Sequence, residues 1–123
     1  MALLSVNDMK PRRFKIMDIS KRDWKLFRER LSGWQENYME DLVKAYANFL
    51  NDDKKPASEK FWELEKRIKE DKRHLGVIME VNKSEVIWDI VRLIRLKVIT
   101  YDDLSDFSDE LHMEVKRILE MSR

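Results

Sequence analysis

From Trp24 onward the apolar positions recur at intervals of three and four, the period that lines one face of a helix. Ser20 and Asp23 have the spacing of an N-terminal cap with an acidic residue three positions on, and Trp24, Phe27 and Leu31 continue as a helical stripe. Gly33 stands where such a helix stops or bends. Ser32 and Gln35 repeat the capping spacing, opening a second helix with Met39, Leu42, Val43, Tyr46, Phe49 and Leu50 on one wide apolar face. The polar stretch NDDKKPA, residues 51–57, reads as a turn. A third helix starts at Pro56 or Ser58, carries a narrow buried stripe of Phe61, Leu64 and Ile68, and stops at Gly76. Between Val86 and Ile99 ten of fourteen residues are apolar, with Asp89, Arg92 and Arg95 three apart, which predicts a helix that other elements surround. Thr100 with Asp103 opens a fifth, whose core face is Leu104, Phe107, Leu111, Val115, Ile118 and Leu119. The expected fold is all-α: a compact bundle of four to five helices in one domain over residues 19–123, the fourth helix most buried. Residues 1–18 hold Pro11 and no sustained period, and read as a flexible basic arm.

Composition narrows the chemistry. The 123 residues include no Cys, which removes disulfides, thiolate metal sites and thiol nucleophiles. Two glycines, Gly33 and Gly76, cannot build a phosphate-cradling loop, which needs several within a few residues. The longest apolar run, Met1 to Leu4, is far short of the roughly 20 residues of a membrane span, and the basic cluster after it has the wrong order for a signal peptide. A cytoplasmic location is the expectation. Net charge is +1, but unevenly placed: residues 1–35 hold nine basic and four acidic groups, residues 100–123 three basic and seven acidic.

The string KRDWKLFRERLSGWQENYM from Lys21, with FWELEKRIKEDKR from Phe61, GVIMEV from Gly76 and VITYDDLSDFSDEL from Val98, resembles a family of short uncharacterised bacterial helical proteins. The resemblance spans roughly Ser20 to Val115. It implies a helical fold and no known activity, so no functional residue carries over. Some members bear the label multidrug transporter, which a chain without a membrane span does not support.

Four candidate chemistries remain. Asp71 with His74, and Asp109 with His112, place a carboxylate and an imidazole three apart on a helix, as di-metal bundles do with Glu; the bridging carboxylates such a site needs have no counterpart here, and ordinary surface histidines explain the pattern. The capping roles of Ser20, Ser32, Ser58 and Thr100 account for the hydroxyls a nucleophilic mechanism would use, so the chain reads as no enzyme, with no catalytic, cofactor or metal residue. The basic stretch over residues 10–28, with Arg12, Arg13, Lys15, Trp24 and Arg28, offers a phosphate-tracking surface with aromatics for stacking; a solvated tail is the favoured explanation, and the acidic last helix would repel phosphate. Trp34, beside Gly33 and off the best apolar stripe, is expected to be half exposed. Trp62 and Phe61 cannot both face one core from a narrow helix. Exposed aromatics near arginine are the stuff of protein interfaces. The expected function is therefore a non-catalytic interaction or regulatory module that binds a protein partner or itself, through Trp34 and Trp62, with nucleic-acid binding as the alternative and a metal-dependent enzyme a distant third.

Overall fold

The computed structural model describes residues 17–121. Among these residues every regular element is helical: α1 spans Lys21–Leu50, α2 Ala57–Asp71, α3 Val86–Arg95 and α4 Asp109–Met121, with short 3-10 turns over Lys83–Glu85 and Tyr101–Leu104. None of these helices is long and apolar enough to cross a membrane. The arm assigned to residues 1–18 lies outside the described residues except for Met17 and Asp18, and Met17 packs against the core.

Ser20 starts α1 as its spacing predicts, its Oγ accepting the Asp23 N–H at 3.1 Å. The helix then runs unbroken for 30 residues, about 45 Å at 1.5 Å per residue. The expected break at Gly33 is absent, so the first two predicted helices are one. A single glycine costs only about 1 kcal/mol against alanine inside a helix. Leu31 and Trp34, buried on either side of it, fix both turns against the core. Ser32 is mid-helix and caps nothing.

One core collects Ile19, Phe27, Leu31 and Trp34 from the start of the chain, most of α3, and Ile99, Leu104, Phe107, Leu111, Val115 and Ile118. Six of the ten residues of α3 are buried, as its nearly all-round apolar pattern demands. Buried Asp89 pairs with Arg92 at 2.5 Å. The helix ends earlier than expected, at Arg95, through a Schellman turn: the Val98 N–H reaches the Leu93 carbonyl at 2.9 Å and the Lys97 N–H the Ile94 carbonyl at 3.0 Å. Lys97 stands in the left-handed region with φ 63°, the position glycine usually takes.

The fifth predicted helix begins later than its cap signal implied. Asp103 does bind the Thr100 N–H, at 2.7 Å, but this pair closes only the 3-10 turn that buries Leu104. The start of α4 is set by Ser108, whose Oγ accepts the Leu111 N–H at 3.2 Å. Ser108 is itself held by Asp23 of α1. The Asp23 carboxylate, fully buried, accepts the Ser108 N–H at 3.0 Å and its hydroxyl at 2.5 Å. Around this tie Arg30 pairs with Asp106 at 2.5 Å and Arg22 donates to the Asp106 carbonyl at 3.0 Å. Further along α4, Glu114 accepts the Met17 N–H at 3.1 Å and pairs with Arg117 at 2.7 Å. The Arg117 hydrogen bond holds the Glu114 carboxyl below its ordinary range, against the opposing effect of burial and with help from the Met17 N–H.

Beyond Trp34 the pattern of burial changes. No residue of α1 from 35 to 50 is buried, and none of α2 is, so the expected buried stripe of Phe61, Leu64 and Ile68 is a surface feature. The molecule divides into a packed body and a two-helix hairpin made by the second half of α1 and α2.

Removing the Asp23 carboxylate takes the acceptor from both donors of half-buried Ser108. Asp23→Ala is expected to lower unfolding stability by about 3 kcal/mol in denaturant titration, and Asp23→Asn, which keeps one acceptor, by clearly less. Lys97→Gly relieves the left-handed backbone and is expected to raise stability by about 0.5–1 kcal/mol in the same assay.

Candidate interaction surface on the hairpin

The hairpin is closed by contacts that alternate polar and aromatic. At its base the Tyr38 and His74 rings stack at 4.5 Å with 8° between their planes, and Gln35 Nε2 donates to the Leu75 carbonyl at 2.9 Å. Higher up, the Tyr46 hydroxyl donates to Asp71 Oδ2, and near the tip the Arg67 guanidinium lies 4.1 Å above the Phe49 ring. Gly76 is required here by closeness. A Cβ on it would fall 2.3 Å from the Tyr38 ring, while α2 has already ended at Asp71, so Gly76 is not the helix stop its position suggested. Its N–H donates to His74 Nδ1 at 3.0 Å, which orients the imidazole under Tyr38.

Between the two helices runs a groove of about 240 Å³ lined by Met39, Leu42, Val43, Tyr46, Ile68 and Val77, with Asp71 and Lys72 at one edge. Its surface is almost wholly carbon. Val43, 61% exposed, stands on its wall. Toward the tip Phe61 and Trp62 are 64% and 62% exposed and meet edge to face at 5.0 Å. Burial in the hairpin, followed by the hydrogen bond to Asp71 and the charge of that carboxylate, pushes the Tyr46 hydroxyl up to about 12. Burial and the Asp71 charge raise Tyr38 as well.

The residues singled out from sequence fall in different places. Trp62 is exposed, on the hairpin. Trp34 is not half exposed: it is 8% exposed, stacked on Phe107 at 6.1 Å and edge-on to Phe27 at 6.0 Å, so it belongs to the core. In an unbroken α1 it falls three positions after Leu31, on the same stripe as Phe27. Trp24 packs partly against the core, with the Arg28 guanidinium of its own helix 4.7 Å over its ring. Arg12, Arg13 and Lys15 lie outside the described residues. The two Asp-x-x-His pairs do separate structural work: Asp71 and His74 close the hairpin, and His112 Nε2 donates to the Leu104 carbonyl at 2.5 Å beneath Tyr101. Among the described residues no group of three or more His, Asp or Glu side chains is placed to hold a metal. Val43, Phe61 and Ile68, which shape the surface, carried a signal that sequence reading assigned to the core: two apolar faces at helical spacing, on elements that the body does not cover.

No protein family, curated protein or solved structure matches the chain.

The Tyr46 contact has a pH signature. A raised hydroxyl favours the neutral form in the folded state, so its contribution is fully present below the ordinary value of 10 and is lost as pH climbs toward about 12. Following tyrosinate absorbance, the last ionisation of the folded chain is expected near 12 and is expected to disappear in Tyr46→Phe.

Proposed function

We propose that this chain is a non-catalytic protein-interaction module that presents the α1–α2 hairpin to a protein partner. The observation that carries this reading is α2 itself: fifteen residues of helix with an apolar face and no buried residue. Isolated helices of that length are marginal in water, and most helix stability in proteins comes from packing an apolar face. A contiguous exposed apolar patch is also uncommon on a chain that acts alone. Phe61 and Trp62 supply the large, rigid aromatics that dominate binding energy at interfaces, and the groove further along the hairpin, at Ile68, adds an apolar pocket.

The buried polar groups support the same reading from the other side. Asp23 ties two helices, Asp89 pairs with Arg92, and Glu114 holds Met17 and Arg117. Each is engaged in holding the body together. Of the basic side chains at the start of α1, Arg22 and Arg30 engage Asp106 and Arg28 lies over Trp24.

The chain, tagged at its C-terminus and recovered from its host after nuclease treatment, is expected to retain a protein in stoichiometric amount. The double substitution F61A/W62A, both at exposed positions, is expected to weaken that association about a hundredfold while leaving thermal unfolding unchanged. Full retention by the double variant overturns the assignment to the hairpin, and loss of all bound material on nuclease treatment overturns the protein-interaction reading.

A further inference from the structure

We propose that His74 is a proton-operated latch on the strap that joins the hairpin to the body, closed while its imidazole is neutral and opened when the ring takes up a second proton. The strap is residues 72–79, which follow the end of α2 and lead toward the 3-10 turn at Lys83–Glu85. Leu75 and Met79 pack against the core of the body, while Val77 lines the hairpin groove, so the strap belongs to both parts of the molecule. Between them Gly76 is buried and pressed so closely on the Tyr38 ring that a Cβ has no room. A buried N–H must find an acceptor. Among the described residues the Gly76 N–H has one, Nδ1 of His74 at 3.0 Å.

An imidazole nitrogen accepts only when it carries no proton, so this bond requires the neutral ring with its hydrogen on Nε2. Protonation places an N–H on Nδ1 and sets it donor against donor with Gly76. The surroundings leave no substitute acceptor. The imidazole lies flat against the Tyr38 ring, 4.5 Å away with 8° between the planes. A half-turn of the imidazole within that plane keeps the stack but offers Gly76 a C–H. Swinging the ring out breaks the stack, and withdrawing Gly76 lifts the strap from α1, where Gln35 holds the Leu75 carbonyl at 2.9 Å.

The groups around the ring let the proton bind. From α1, Tyr38 presents its face, and Asp41, three positions on, adds a carboxylate on that flank; at the end of α2 stands Asp71, whose carboxylate takes the Tyr46 hydroxyl. All three favour an imidazolium. Lys72 and Arg73 on the strap oppose it but are exposed to solvent, which screens them, and Arg67, a turn before Asp71, lies over Phe49 and pairs with Glu63. The charge is accommodated while the hydrogen bond is not. The latch therefore contributes fully while the ring is neutral, and that contribution is lost as acidification protonates it. It holds whatever the hairpin binds.

The test is amide hydrogen exchange of the full chain, read residue by residue by NMR between about pH 8 and 5, the span in which imidazoles ordinarily titrate, with each rate corrected for its intrinsic pH dependence. Protection of the Gly76 amide is expected to fall about tenfold across that span, with the Leu111 amide of the body unchanged. His74→Asn sets a non-titrating Oδ1 on the same Cγ that carries Nδ1, and is expected to keep Gly76 equally protected throughout. His74→Phe, which can stack but not accept, is expected to lose that protection at every pH. Ring nitrogen shifts of the wild type at the alkaline end are expected to show the hydrogen on Nε2. A hydrogen on Nδ1 there overturns the proposal, as does Gly76 protection that ignores pH in the wild type. A fall that persists in His74→Asn overturns it too, since the proton then acts at another group, His112 included.

Discussion

Asp23 stands where two helix beginnings meet, and its carboxylate decides how the rest of the chain is arranged. Its backbone N–H is the donor that Ser20 caps to start α1, and its side chain grips Ser108, which in turn caps α4. A buried carboxylate is tolerated only with hydrogen-bond partners, and here both donors belong to Ser108, the residue before α4, 85 positions away in sequence. This tie sets the beginning of α4 against the beginning of α1. The apolar faces of both then close over α3, and Leu104 and Phe107 are carried inward on the turn between them.

The division into body and hairpin follows as well. With the first turns of α1 held at Asp23, Phe27, Leu31 and Trp34 reach the core, and the helix runs past the last of them for sixteen more residues. The body is already filled by α3, α4 and their connecting turns, so Met39, Val43, Tyr46 and Leu50 have no wall of it to pack on. Tyr46 reaches α2 instead, through Asp71, while Val43 and Leu50 stay exposed. Two helices side by side cover one edge of each other and leave a strip of both in water, which is the groove with its exposed valine and isoleucine. The polar and aromatic clasps between Tyr38 and His74 and between Tyr46 and Asp71 hold this pair in one register without burying it.

The all-helical class was legible because periodicity and composition agree at every level, and Ser20 and Pro56 mark their helix starts through local chemistry. What local chemistry cannot express is which of several apolar faces the core has room for. Gly33 illustrates the failure at a helix end: the stop signal is real but weak, and the burial of Leu31 and Trp34 overrides it. A helix restarted at Gly33 would turn Trp34 off the stripe of Phe27 and Leu31; the continuous helix keeps it there, in the core. Thr100 and Ser108 show the same competition, since both precede turns of helix and only tertiary contact with Asp23 makes the second the true start. Adjacent positions on a helix point about 100° apart, which separates Trp62 from the Phe61–Leu64–Ile68 stripe, but no local signal shows that the stripe itself, Phe61 included, is left uncovered.

The absence of a joint in α1 has a mechanical meaning. A helix of 30 residues that is anchored over its first half and free over its second is a lever with its fulcrum near Trp34. The free part is about 24 Å long, so a tilt of roughly 5° at the fulcrum moves the tip by about 2 Å. Load applied at the tip is passed down the same rod to Phe27, Phe107 and the Asp23–Ser108 tie. Whatever grips the hairpin therefore pulls directly on the packing of the body, and a change in the body's packing re-aims the hairpin in turn.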